Sequence, residues 1–315
     1  MLMQMVDILG PIIAITLIGY LMGRSKVGLE TRSLSTVVIN VATPALIFHT
    51  LTSLRVTPET IQTMAGAALM CVTIAGVLGL VGLKLAHGSV RSFLPPLMLP
   101  NSGNMGLPLV VLAFGQDGLQ LGVAYFFVVA LVQYSLGLSI YAGSLRLSML
   151  LRQPLIYSVS AVLLVTWTGL PVPKILLTTT EILGGMMIPA MLMLLGVSLA
   201  TLKVADLGPA LMVAVGRLVL GLVSACVVIW ALDLHGVTAG TVFLLATMPT
   251  AIVSYVFAER YQHNARQVAG TVVVSTLLTF ICLPGLVWLA LAISGSDGIS
   301  PEPAGTAKDA VELTQ

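Results

Sequence analysis

Apolar residues run along this chain in blocks of about 20, separated by short polar stretches, and a block of that length matches a helix crossing a bilayer. The pattern predicts ten spanning helices, over 7–23, 35–54, 62–86, 94–114, 119–143, 154–170, 182–201, 207–232, 238–259 and 268–293. The blocks are apolar on all sides, so they carry no stripe that says which face meets lipid. From Ser294 the chain turns to Ser, Gly, Pro, Asp and Glu, which predicts a disordered tail over 294–315. Arg24 and Lys26 follow the first block and no cleavage site closes it, so it reads as a retained span rather than a signal peptide.

Two apolar runs resemble each other. Pro44 to Leu54 closes the second block and Pro189 to Leu199 closes the seventh, with a shared Pro-Ala start and Ser-Leu end 145 residues apart. Pro11 and Pro154 open the first and sixth blocks. Gly115-Gln116-Asp117 and Tyr261-Gln262-His263 end the fourth and ninth. The offset divides the chain into two five-helix repeats, 1–145 and 154–293. Five is odd, so the second repeat is expected upside down relative to the first, the arrangement of many secondary transporters.

The pattern fails most clearly inside the fourth block, where Pro95, Pro96, Pro100 and Pro108 stand among Asn101, Ser102, Gly103, Asn104 and Gly106. Interior prolines remove backbone donors and clash with the preceding turn. The segment is expected to form two half-helices with an unwound middle near Pro100 to Gly106. Thr247-Met248-Pro249-Thr250-Ala251 makes a milder break in the ninth block. Irregular backbone survives at membrane depth only beside protein or a wet cavity. The two breaks therefore mark the expected substrate site: Pro100, Asn101, Ser102, Gly103, Asn104, Gly106, Pro249 and Thr250.

Composition agrees with the pattern: 57% of residues are hydrophobic and 8% charged, against about 25% charged in an average soluble chain. A net charge of +2 without a basic tract gives no reason to expect nucleic acid. Cys71, Cys226 and Cys282 are widely spaced in apolar runs and make neither a metal motif nor a disulfide framework. No Walker loop or dinucleotide fingerprint appears, so no cofactor is expected and transport would run on a gradient.

The positive charges give an orientation. The odd loops hold ten, Arg24, Lys26, Arg32, Lys84, Arg91, Arg146, Arg152, Lys203, Arg260 and Arg266; the even loops and termini hold three, Arg55, Lys174 and Lys308. Positive loops stay in the cytoplasm, so both termini are expected outside a multi-pass protein of the cell (inner) membrane.

Polar residues inside the blocks are the remaining candidates. Arg217 lies in the middle of the eighth, and reads as a counter-charge for a carboxylate substrate, as a partner of a buried acid, or as a sign that the helix boundary is shifted. His49 and Asn40 in the second block are candidates for ion coupling, with packing roles as the alternative. Thr43 reads as a group that supports the site from behind or as a helix-packing bond, while Gln133, Tyr134, Ser275 and Thr276 read as cavity lining or interhelical glue. Asp7 and Glu259 read as interfacial. Ser102 lacks the upstream glycine and the partnered histidine of an intramembrane serine protease, so an enzyme is not expected.

Three stretches together resemble the auxin efflux carrier family: Asn40 to Phe48, Asn101 to Pro108, and Met248 to Ala251. The resemblance covers about residues 1–293, and its bacterial members are taken to be permeases for malonate or other organic acids. It implies crossed broken helices four and nine, as in bile-acid symporters and some sodium–proton antiporters. It also implies a scaffold of helices 1, 2, 6 and 7, usually dimeric, and a moving transport domain of helices 3–5 and 8–10. The long central loop of the plant members is absent here, where only Leu145 to Gln153 intervenes. The expected activity is secondary, alternating-access transport of a small organic anion such as a malonate-, lactate- or auxin-like carboxylate. A sodium- or proton-coupled carrier of another amphipathic solute, or a channel, is the alternative.

Overall fold

A computed structural model describes residues 2–25, 31–53, 57–144, 154–202 and 207–295. The loop charges Lys26, Arg55, Arg146, Arg152 and Lys203, and the tail beyond 295, lie outside the described residues. The described chain is helical, and its one β-type pairing is an isolated antiparallel bridge between Pro100 and Thr250. We number the helices α1 (Leu2–Arg24), α2 (Thr31–Val37), α3 (Thr43–Ser53), α4 (Pro58–Leu85), α5 (Val90–Met98), α6 (Leu107–Val132) and α7 (Leu138–Ala142). Then follow α8 (Pro154–Thr168), α9 (Lys174–Gly185), α10 (Met187–Thr201), α11 (Leu207–Ala231), α12 (Gly236–Thr247), α13 (Ile252–Arg260) and α14 (Ala265–Ser294).

Among the described residues, seven helical stretches are long and apolar enough to cross a membrane: Met5–Arg24, Ser33–Ser53, Pro58–Leu85, Ser102–Ala142, Lys174–Thr201, Leu207–Ala231 and Ala265–Ser294. The fourth has 41 residues, or about 60 Å of helix, twice a ~30 Å hydrocarbon core. It turns at Gly115, whose φ of 63° and ψ of −146° suit glycine alone. That is where the sequence places the end of the fourth block.

Most expected boundaries fall within a few residues of the observed ends. The seventh block is a correction: its helix starts at Lys174 rather than 182, because Thr178–Glu181 continue the helix instead of breaking it. Within it, Thr180 returns its hydroxyl to the Leu176 carbonyl at 2.8 Å. The second and seventh blocks are each interrupted just before their Pro-Ala pair. Wide π-type turns fill Val38–Ala42 before Pro44, and α9 gives way to α10 at Met186 before Pro189. Proline leaves the carbonyl four residues earlier without its donor, which is a known cause of such defects.

Packing sorts the helices into two groups. α1 lies along α10, and α3 lies against α8 and α9. α4, α5, α6, α11, α12 and α14 pack on one another. The α1–α10 contact depends on missing side chains: a Cβ on Gly196 would stand 2.0 Å from the Thr16 carbonyl oxygen, and one on Gly19 would stand 2.2 Å from that of Met193. In lipid, helices associate through such close packing because no hydrophobic gain drives them together. Outward faces remain apolar, as at Ile13, Leu17 and Leu21 of α1 and Val77 and Val81 of α4.

Candidate functional site

The site begins at two helix breaks that meet. α5 ends at Met98, the backbone is extended at Leu99, and a π-type turn over Ser102–Gly106 leads into α6. The unwound part is therefore shorter than the Pro100–Gly106 expected from sequence. Residues 102–106 recover a widened helix because the carbonyl of Asn101 accepts from the N–H groups of both Met105 and Gly106. In the other break, α12 ends at Thr247 and α13 starts at Ile252.

Every proline-orphaned carbonyl here needs a donor, since water is scarce at this depth. Asn101 N–H donates to Pro249 O at 2.7 Å and Ala251 N–H to Leu99 O at 3.2 Å, which ties the two breaks antiparallel. Pro96 O would receive the N–H of residue 100, but that residue is proline. The Thr250 hydroxyl replaces it, at 3.0 Å. Thr250 N–H donates to Ser275 Oγ at 3.2 Å, so Ser275 supports the crossing from α14. Thr276 returns its hydroxyl to Val272 O within that helix. Replacing Thr250 with valine keeps the shape and strands the Pro96 carbonyl. It is expected to cost about 1–3 kcal/mol, read as a lower midpoint of thermal unfolding in detergent.

Arg217 holds the same crossing from behind. It is 2% exposed, and its guanidinium donates to three carbonyls: Nε to Met248 O at 3.1 Å, Nη1 to Leu97 O at 2.8 Å, and Nη2 to Ala246 O. Leu97 lies at the C-terminal end of α5, and Ala246 and Met248 lie at that of α12. The charge thus sits where two negative helix ends converge. Among the described residues it has no carboxylate partner. Gly221, one turn along α11, allows this approach, because a Cβ there would stand 2.6 Å from Ala246 O.

A cavity of about 890 Å³ also opens at the crossing, between the two helix groups, and Arg217 is not among its lining residues. Its inner end is formed by Pro100, Asn101, Ser102, Gly103, Asn104 and Ala251. Its walls are Ile39, Asn40, Thr43, Phe126, Ala130, Gln133, Tyr134, Met191 and Leu194. Its outer part reaches Ser35 and Thr36, Ser198, Thr201 and Leu202, and Tyr255, Glu259 and Arg260. These last residues lie at the ends of helices that lead into basic odd-numbered loops.

The inner end is polar and unsaturated. α6 with its π-type turn and α13 both start there, and the first N–H groups of a helix have no acceptor within it. Asn101 is 4% exposed and Ser102 1%, yet the amide nitrogen of Asn101 and the hydroxyl of Ser102 have no hydrogen-bond partner among the described residues. The same holds for the Thr43 hydroxyl in the facing wall. Gly103 gives Phe126 its place, since a Cβ would stand 2.6 Å from the ring. Gly106 lies behind, against Leu245 and Met248.

The remaining sequence candidates divide. Pro249 and Thr250 build the crossing, while Ala251, Ile252 and Val253 beside them line the cavity. Asn40 lines it too, with its amide donating to Thr36 O at 2.8 Å. His49 lies away from it, its Nδ1 3.2 Å from Leu177 O and 3.3 Å from Ser53 Oγ, between α3 and α9. Tyr134 packs edge-on against Phe257, with ring centroids 5.8 Å apart. Tyr255 donates its hydroxyl to Glu259 at 2.8 Å beside the mouth. Asp7 is exposed on α1. No histidine lines the cavity around Ser102. Sequence reading missed Phe126, Met191, Leu194 and Ser198. The last three share one face of α10 at helical spacing, inside the repeated Pro189 run, which was the available signal.

The known proteins that this chain resembles are membrane transporters. The family described as "Membrane transport protein" matches residues 4–146 and 143–288. An uncharacterized transporter of Methanothermobacter thermautotrophicus is 27% identical over 290 residues, covering 87% of this chain and 94% of the relative. An uncharacterized transporter of Methanocaldococcus jannaschii is 21% identical over 280 residues, covering 83% and 90%. The chain thus belongs to the membrane transport protein family, that of the auxin efflux carriers.

Proposed function

We propose that the protein is a secondary transporter that carries a small organic anion by alternating access, with the anion held at the inner end of the cavity. The observation that carries this reading is the convergence there of two half-helix N-termini with the unpartnered Asn101 amide and Ser102 hydroxyl. Helix N-termini offer free N–H groups and a positive dipole end to an anion. A carboxylate accepts from several such donors at once. The apolar walls, Phe126, Ala130, Met191 and Leu194, suit the carbon skeleton attached to it.

In this reading the chain has ten spans in two inverted five-helix halves. The antiparallel meeting of the two breaks, one from each half, supports that symmetry. Spans 1, 2, 6 and 7 (α1 to α3 and α8 to α10) form the scaffold, and the remaining helices move as the transport domain, elevator-fashion. The cavity follows the boundary between these two packing groups. Its mouth lies at helix ends that lead into basic loops, which the charge rule puts on the cytoplasmic side of the cell membrane, so in this reading the state is inward-open. A second copy docks through the scaffold, where α8 leaves Tyr157 and Trp167 largely exposed.

Reconstitution into liposomes tests the reading. Labelled malonate, lactate and an indole carboxylate are offered under an imposed gradient, with accelerated exchange as a separate assay. Saturable uptake and counterflow of at least one anion are expected. Flux that neither saturates nor shows counterflow for any of them removes the carrier reading.

A further inference from the structure

We propose that Arg217 is a built-in cation that takes the place of a coupling ion at the helix crossing, so that the carrier binds its anion without sodium. The inference rests on the transporter reading, and its observations are separate from the cavity. Where discontinuous helices cross in transporters, unwound carbonyls and half-helix C-termini are the groups that coordinate sodium. Here those groups are the carbonyls of Leu97, Ala246 and Met248, and all three accept from the Arg217 guanidinium. They come from the C-terminal ends of two half-helices, so two partial negative charges converge on one point.

A buried cation is retained only if it is paired and fully hydrogen-bonded. Arg217 has no acid within ion-pair reach among the described residues. The helix ends are therefore its counter-charge. Its other neighbours, Cys71, Tyr125 and Ser224, are neutral groups around a small void beside the guanidinium. The side chain is covalently fixed to α11, so the charge cannot leave during the transport cycle as a bound ion would. Its fork of donors also holds α5 to α12 in every state that keeps the crossing intact.

The test uses thermal unfolding of the detergent-solubilised full chain, which needs no substrate. The unfolding midpoint of the unsubstituted protein is expected to be the same in sodium chloride and choline chloride at about 0.15 M. Arg217→Lys keeps the charge and loses the fork, so it should lie between the parent and Arg217→Gln, which keeps donors without charge. Arg217→Ala should unfold about 10 °C lower, the scale of breaking a buried charge interaction. Sodium or lithium, but not choline, should then raise its midpoint saturably by entering the vacated carbonyl cage. A saturable sodium dependence in the unsubstituted protein overturns the proposal. So does Arg217→Gln matching or exceeding Arg217→Lys, or a folded Arg217→Ala variant indifferent to sodium. If Arg217→Ala does not fold, the Lys–Gln ranking and the parent's indifference decide it. A failed uptake assay with the midpoints behaving as stated would count against the anion reading and not against this one.

Discussion

Replacing Gly196 with valine is expected to separate α1 from α10 and leave little folded protein in the membrane. The first atom beyond Cα would stand 2.0 Å from the Thr16 carbonyl oxygen and 2.6 Å from the Tyr20 nitrogen, both backbone atoms. A flexible side chain could swing away; a helix backbone moves only if the helix moves. Overpacking in a tight core costs about 1–3 kcal/mol and more where nothing can yield. This site belongs to the second kind, so a penalty above ~3 kcal/mol is expected. The measurement is the yield of a single sharp peak in fluorescence-detected size exclusion of a tagged chain. Gly10→Val, on the partner helix α1, is the control, because a Cβ there meets nothing within 4 Å. Equal yields from the two variants would show that the α1–α10 contact is dispensable.

Replacing Asn101 with alanine is expected to raise the KM for anion uptake roughly 10- to 100-fold while leaving the fold intact. The fold survives because the bonds Asn101 makes at the crossing are backbone bonds, its N–H to Pro249 O and its carbonyl to Met105 and Gly106. The side-chain amide nitrogen has no partner among the described residues, so its removal strands no acceptor there. A hydrogen bond to a charged group is worth about 1.5–3 kcal/mol, which sets the size of the change. Asn101→Asp should be worse, because it adds a like charge beside the anion. Asn104→Ala should cost less, since Asn104 is half-buried and shares the site with stronger donors. A KM within twofold of the parent for Asn101→Ala would take the anion away from this end of the cavity.

These predictions rely on the sequence to different degrees. The membrane nature of the chain, the helix-long blocks and the two broken regions were legible from apolar runs and proline clusters, because these follow from local composition and from backbone chemistry. The place of Asn101 and Ser102 was legible for the same reason. The first half of the site is concentrated in one irregular stretch that no regular helix tolerates. The second half was fainter. Pro249 alone makes a weak signal, and Thr250 declares its role only through the Pro96 carbonyl it satisfies.

Arg217 shows the limit most clearly. From sequence its charge at mid-span called for either an anionic substrate or a buried acid. The fold supplies three carbonyls instead, from residues 120, 29 and 31 positions away. Orphaned carbonyls leave no mark in a sequence pattern. His49 is a similar case: its neighbour is a carbonyl 128 residues distant, and nothing in its own helix announces that.

By itself, then, the sequence determined that this chain lives in lipid, where its helices run and where two of them must break. Those are properties of short segments, and hydrophobic length and proline sterics decide them locally. The meeting of the two breaks antiparallel, the hold of Arg217 on both, and the cavity lined by Asn101 and Ser102 arise only when the chain folds. These depend on which distant groups come within hydrogen-bonding reach of one another, and the close helix packing at Gly19, Gly196 and Gly221 contributes to that.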